Sequence, residues 1–123
     1  MSEKSILARF ESILQKCNDI AFVIERHGGI VKALNDREGQ PALLMLLEAI
    51  AEQFHKLEKK NSAHEYLECF QRSTLKGIHA TRTFIAHDYD GIDLAFVEAG
   101  LREIPEIEKL CRSIIKDITS KQE

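Results

Sequence analysis

Proline, glycine and cysteine are scarce in this chain, and tryptophan is absent: 123 residues include two prolines, six glycines and three cysteines. With so few breakers, and no convincing run of alternating apolar and polar residues, the sequence points away from sheets and toward helices. Cys17, Cys69 and Cys111 are odd in number and far apart, which argues against a disulfide framework. Each falls where an apolar helix position is expected, so all three read as small buried hydrophobes. The opening "MSEKSILARFESILQ" has no long apolar segment, and no apolar run reaches membrane-spanning length, so the expected setting is the cytoplasm with no membrane partner. The formal net charge of −3 argues against coating nucleic acid through bulk positive charge, while leaving room for a small basic site.

Helical periodicity is abundant. Ile6, Phe10, Ile13, Leu14, Cys17, Ile20 and Ile24 form one stripe, which His27-Gly28-Gly29 should end. A short apolar piece, "IVKAL", follows, and then a polar turn, "NDREGQ". Pro41 suits the first turn of a helix carrying Leu43, Leu46, Leu47, Ile50, Phe54 and Leu57. Residues 63–71 read as a further short helical piece, and residues 74–87 as a longer helix. Gly91 breaks the chain, Asp93 can cap a segment from Leu94, and Pro105 divides that segment from a last helix with Ile107, Leu110, Cys111, Ile114 and Ile118 on one face. The expected fold is all-α: an antiparallel bundle of four main helices plus short helical segments. It forms one domain over residues 1–123, with the last few residues a frayed tail.

Acidic residues are missing from one telling place. Between Cys69 and His87 there is no aspartate or glutamate, although the stretch holds Arg72, Lys76, His79, Arg82 and His87. A local positive field able to attract a phosphate competes here with a plain solvated basic face. Five residues at about 100° each set His87 roughly 140° round the helix from Arg82. A site using both therefore needs the helix end to unwind, or a second copy of the chain.

The run Arg82-Thr-Phe-Ile-Ala-His87-Asp-Tyr89, an R-x4-H-x-Y pattern, resembles the motif of HEPN-domain proteins. Within them it is similar to the HepT-like toxins of HepT/MntA toxin–antitoxin pairs. The flanks "LLEAIAEQFHKL" and "GIDLAFVEAGLREIPEIEKL" share the likeness, which covers residues 6–115, although Leu75 stands where many members carry tryptophan. The resemblance implies a dimerising helical bundle whose two motifs line a composite cleft. It also implies a metal-independent endoribonuclease, acting on tRNA or mRNA without a cofactor, as the toxin of a type II toxin–antitoxin pair. On this chain it makes His87 the general base or acid and Arg82 the phosphate holder. Thr83 becomes an orienting neighbour, and Lys76 and Arg72 supporting RNA contacts. It implies too that a cognate MntA-like nucleotidyltransferase neutralises the toxin by attaching AMP to Tyr89, bringing bulk and negative charge to the cleft. Read from the residues alone, Tyr89 is as readily a helix-end tyrosine packing its ring.

Other signals are weaker. Glu52-x-x-His55 is half of a carboxylate-bridged metal pattern without its second half, and reads instead as a surface or groove-lining pair. "HEYLE" lacks the second histidine of a zinc-protease helix, and "DYDGID" has the wrong ligand order for a calcium loop. His27 reads as a helix-end residue, and no metal site is expected. Two alternatives to the ribonuclease remain: a non-catalytic partner of a nucleotidyltransferase, and a helical interaction protein in which the motif is a polar rim.

Overall fold

The computed structural model describes residues 2–87 and 90–122, and every regular element among them is helical. Helix α1 (Glu3–Arg26) starts where Ser2 Oγ accepts the Ser5 N–H at 3.2 Å, with Glu3 in the first turn. Both features favour the electropositive end of a helix. Ile6, Phe10, Ile13, Cys17 and Ile20 are buried along one stripe. The two glycines then close the helix. Gly28 takes φ 85° and Gly29 φ 133°, and their N–H groups donate to Glu25 O and Ile24 O at 3.2 and 2.9 Å. This paired closure is the Schellman arrangement, which needs a left-handed residue that glycine supplies without strain.

The short α2 (Ile30–Leu34) buries Ala33 and Leu34 and leads into α3 (Gly39–Glu58). Asp36 Oδ2 accepts the Glu38 and Gly39 N–H groups at 2.8 and 2.9 Å. These two bonds hold the Asp36 carboxyl below the usual carboxylate range. Pro41 falls in the first turn, as expected, with the helix beginning two residues before it. Helix α3 buries Leu43, Leu44, Leu47, Ile50, Phe54 and Leu57, and it packs against α1 and α5. Arg9 pairs with Gln53, and Arg26 with Glu38, so α1 and α3 run antiparallel.

A 3-10 turn (Asn61–Ala63) and α4 (His64–Leu67) occupy part of the single piece expected over residues 63–71. Cys69 lies in the turn after α4 and is exposed, which corrects its reading as a buried hydrophobe. The backbone leaves the helix at Leu67, so Cys69 has no core-facing helical position, and its thiol donates to Tyr66 O at 3.2 Å. Cys17 and Cys111 are buried as expected. Burial pushes the Cys17 thiol up to about 12 and raises that of Cys111 as well, so both stay protonated and unreactive near neutrality.

Helix α5 (Arg72–His87) is followed by α6 (Leu94–Arg102), capped by Asp93 Oδ1 accepting the Ala95 N–H at 2.9 Å. Helix α7 (Ile104–Lys121) has Pro105 in its first turn and buries Ile107, Cys111, Ile114 and Ile118. Tyr66 ties the ends of the bundle together. Its hydroxyl donates to Glu3 Oε1 at 3.0 Å and accepts from Lys121 Nζ at 3.2 Å, while its ring stands edge-on to Phe10. The architecture is the expected all-α one, four long helices joined by short helical pieces. None of the helices among the described residues is long and apolar enough to cross a membrane.

Gly39 is the tightest point of the α2–α3 junction. A Cβ there would lie 2.4 Å from Ala33 O and 3.1 Å from His27 Cδ2. Gly39→Ala is expected to cost about 1–3 kcal/mol as an overpacked site, measured by urea denaturation. An unchanged midpoint would show that the junction relaxes freely.

Candidate functional site on helix α5

Helical spacing divides α5 into three faces. The inward face carries Thr74, Thr81 and Ile85, all buried, with Ile78 packed beside them. Its hydroxyls are satisfied: Thr74 Oγ1 donates to Glu103 Oε1 at 3.1 Å, and Thr81 Oγ1 to Gly77 O at 2.8 Å. A second face, with His79 and Arg82, meets α3 through side-chain contacts. The third follows the register Lys76, Ala80, Thr83, His87, of which Lys76, Thr83 and His87 are exposed. Beside it stands Phe84, 48% exposed for so large an apolar residue, its ring edge-on to Phe96 at 5.4 Å.

The contact with α3 is a polar ladder. Arg82 Nε donates to Glu52 Oε2 at 2.7 Å, and His79 Nε2 is in hydrogen-bond contact with Glu58 Oε2. Between these pairs sits His55, its ring edge-on to that of His79. The hydrogen bond from Arg82 holds the Glu52 carboxyl below its ordinary range, and Glu52 raises the guanidinium in return. Both partners are therefore fixed in their charged forms at neutral pH. Partial burial, and then the positive charge of Arg82, lower the His55 imidazole and favour its neutral form. Arg82 spends its Nε on Glu52 and remains partly exposed. Its two terminal nitrogens have no partner among the described residues.

Arg82 and His87 fall on different faces of α5. α5 stays helical through His87, which removes the route in which an unwound helix end lets one chain bring Arg82 and His87 to the same point. Arg82 faces α3, and His87 lies on the exposed face. Thr83 donates its hydroxyl back to His79 O at 3.1 Å, within its own helix. Lys76 and Arg72 are exposed, but Arg72 is ten residues from Arg82, about 15 Å along the axis. Tyr89 lies outside the described residues. Glu52, His55, Glu58 and His79 were not expected as a set. Their signal is the i, i+3, i+6 row of polar residues on α3, of which the sequence marks Glu52 and His55 as a surface or groove-lining pair.

His55 makes the ladder pH-sensitive. Its folded-state proton affinity is lowered, while the unfolded value is about 6.5. The contribution is therefore fully present above about 6.5 and is lost as pH falls below it, because the unfolded chain takes up the proton first. His55→Gln is expected to lose less Tm than the parent between pH 7.5 and pH 5.5. Equal losses would exonerate His55.

A family model described as Ribonuclease HepT-like matches residues 4–114. A Methanocaldococcus jannaschii protein, "Putative RNase MJ1216", is 30% identical over 124 residues, spanning 100% of this chain and 98% of the relative. No solved structure matches the chain. Because the family match runs from α1 into α7 and includes the whole helix carrying Arg82 and His87, the chain belongs to the HepT-like ribonuclease family.

Proposed function

We propose that this protein is a metal-independent endoribonuclease whose site is completed by a second copy of the chain. The observation that carries this reading is the unbroken helix through His87. It sets Arg82 and His87 on different faces, so a phosphate reaches both most directly when two copies of α5 face each other. In such a cleft Arg82 of one protomer, steadied by Glu52, grips the non-bridging oxygens of the scissile phosphate. His87 of the partner subunit takes the proton from the ribose 2′-hydroxyl, or supplies one to the leaving 5′ oxygen. The 2′ oxygen bonds to phosphorus as the bond to the 5′ oxygen breaks, leaving a 2′,3′-cyclic phosphate and a 5′-hydroxyl. Charge developing on the phosphate is met by the guanidinium, and the proton transfers need no metal. Exposed Phe84 beside the His87 face is an apolar element suited to burial between copies.

The same reading makes the protein the toxin of a toxin–antitoxin pair, acting on tRNA or mRNA. Tyr89, two residues after His87 in the sequence, is then the place where an MntA-like nucleotidyltransferase attaches AMP. The R-x4-H-x-Y pattern supports this role, and the added negative charge would sit at the mouth of an anion-binding cleft.

Tag-free protein incubated with bulk tRNA in EDTA tests the chemistry. Wild type is expected to leave cyclic-phosphate ends, with His87→Ala slower by on the order of 10²–10⁴-fold and Arg82→Ala by on the order of 10²–10³-fold. Equal cleavage by wild type and His87→Ala would remove His87 from the mechanism. Inactive but folded wild type, free of AMP by intact mass, would favour a non-catalytic partner of a nucleotidyltransferase.

Mixing the two inactive variants tests the split site. A mixed dimer holds one site with both native residues, so random pairing is expected to restore about a quarter of wild-type activity. No recovery, in a mixture shown to exchange subunits, would place both residues of each site on one chain.

A further inference from the structure

A second site is built where α1 hands over to α3. His27 follows the last residue of α1 and its side chain is only 9% exposed. Its Nε2 is buried without a hydrogen-bond partner. That nitrogen faces two carboxylates, standing 3.4 Å from Asp36 Oδ2 and 3.3 Å from Glu38 Oε1, and the three ligand atoms lie within 4.8 Å of one another. A buried imidazole nitrogen aimed at two oxygens, yet bonded to neither, calls for a partner.

From this geometry we infer that His27, Asp36 and Glu38 bind a divalent transition-metal ion of the Zn²⁺ type. Ligands bonded at about 2.0–2.1 Å in a tetrahedron lie roughly 3.3–3.4 Å apart, which matches both nitrogen–oxygen separations. One imidazole and two carboxylates also suit the class: the nitrogen selects borderline cations over Mg²⁺ or Ca²⁺, and two negative charges balance the dication. Water takes the fourth position.

Two of the donors, Asp36 and His27, are held before any ion arrives. Asp36 is fixed by the Glu38 and Gly39 N–H groups. The His27 ring lies so close to Gly39 that a Cβ there would stand 3.1 Å from Cδ2. Glu38 Oε1 accepts from Arg26 Nε at 3.0 Å in an exposed pair, which the ion displaces at little cost. A cleft of about 240 Å³, lined by Phe22, Val23, Arg26, His27, Glu38 and Ala42, opens beside two of the three donors. Bound there, the ion clamps the end of α1 to the start of α3 across α2. It takes no part in chemistry at Arg82, so this inference stands whether or not the ribonuclease reading does.

The test uses full-length, tag-free protein, stripped with EDTA and dialysed free of it, then titrated with Co²⁺ and separately with Zn²⁺. One equivalent of Co²⁺ is expected to give the visible absorption of a four-coordinate ion, and saturating Zn²⁺ to raise Tm by several degrees, since binding to the folded state alone stabilises it. His27→Gln and Glu38→Gln are each expected to weaken Co²⁺ binding at least about tenfold, with helical circular dichroism confirming that they fold. Glu38 is exposed, which keeps that arm readable even if His27→Gln misfolds. His64→Gln, outside the cluster, is expected to bind as wild type does. Absence of a saturable Co²⁺ band in wild type, or undiminished binding in a folded His27→Gln or Glu38→Gln variant, would overturn the assignment and leave an ion pair only.

Discussion

Helix α3 serves two unlike neighbours, and the position of α5 depends on how it divides itself between them. Its apolar positions, Leu43, Leu47, Ile50 and Phe54, are buried in the core. Phe54 meets Phe70 edge to face at 5.2 Å, a geometry aromatic rings favour. The row Glu52, His55, Glu58 is set against α5 instead. Arginine is a costly residue to bring against a helix unless a carboxylate is waiting. Glu52 is that carboxylate, so the ladder acts as both structural seam and mount for Arg82.

Much of the architecture was legible because its signals are local. The α1 stripe, the glycine pair after His27, the Asp93 cap and Pro105 each act through neighbours within a few residues, and the structure places helix ends at or beside all of them. The reading of Cys69 failed because apolar spacing says nothing about where a short helix loses its hydrogen bonds. Helix α4 ends at Leu67, and Cys69 falls in the exposed turn before the next core residue, Phe70. The division of α5 into faces was half legible. The angle between Arg82 and His87 follows from helix geometry, but which face would meet α3 depends on Glu52, thirty positions away in the chain.

His27 shows the same limit. Beside two glycines it reads as a helix end, and it is one. Only the turn over residues 35–38, folding back across α2, brings Asp36 and Glu38 to its buried nitrogen. Contacts made between elements are the part of a site that periodicity cannot disclose, because two helices can match their stripes without matching their polar atoms.

Four residues separate Arg82 from His87, and that number carries a consequence of its own. With three, the pair would stand only about 40° apart, and a lone chain could present both groups to one phosphate. With four on an unbroken helix, the proposed site shared between copies would be silent until two chains meet. Its output then grows with the square of the free chain concentration wherever dimers are scarce. On that reading, a cell holding the protein below its pairing threshold would be spared its chemistry by dilution alone, and a modest rise in synthesis would be amplified into a disproportionate rise in cutting.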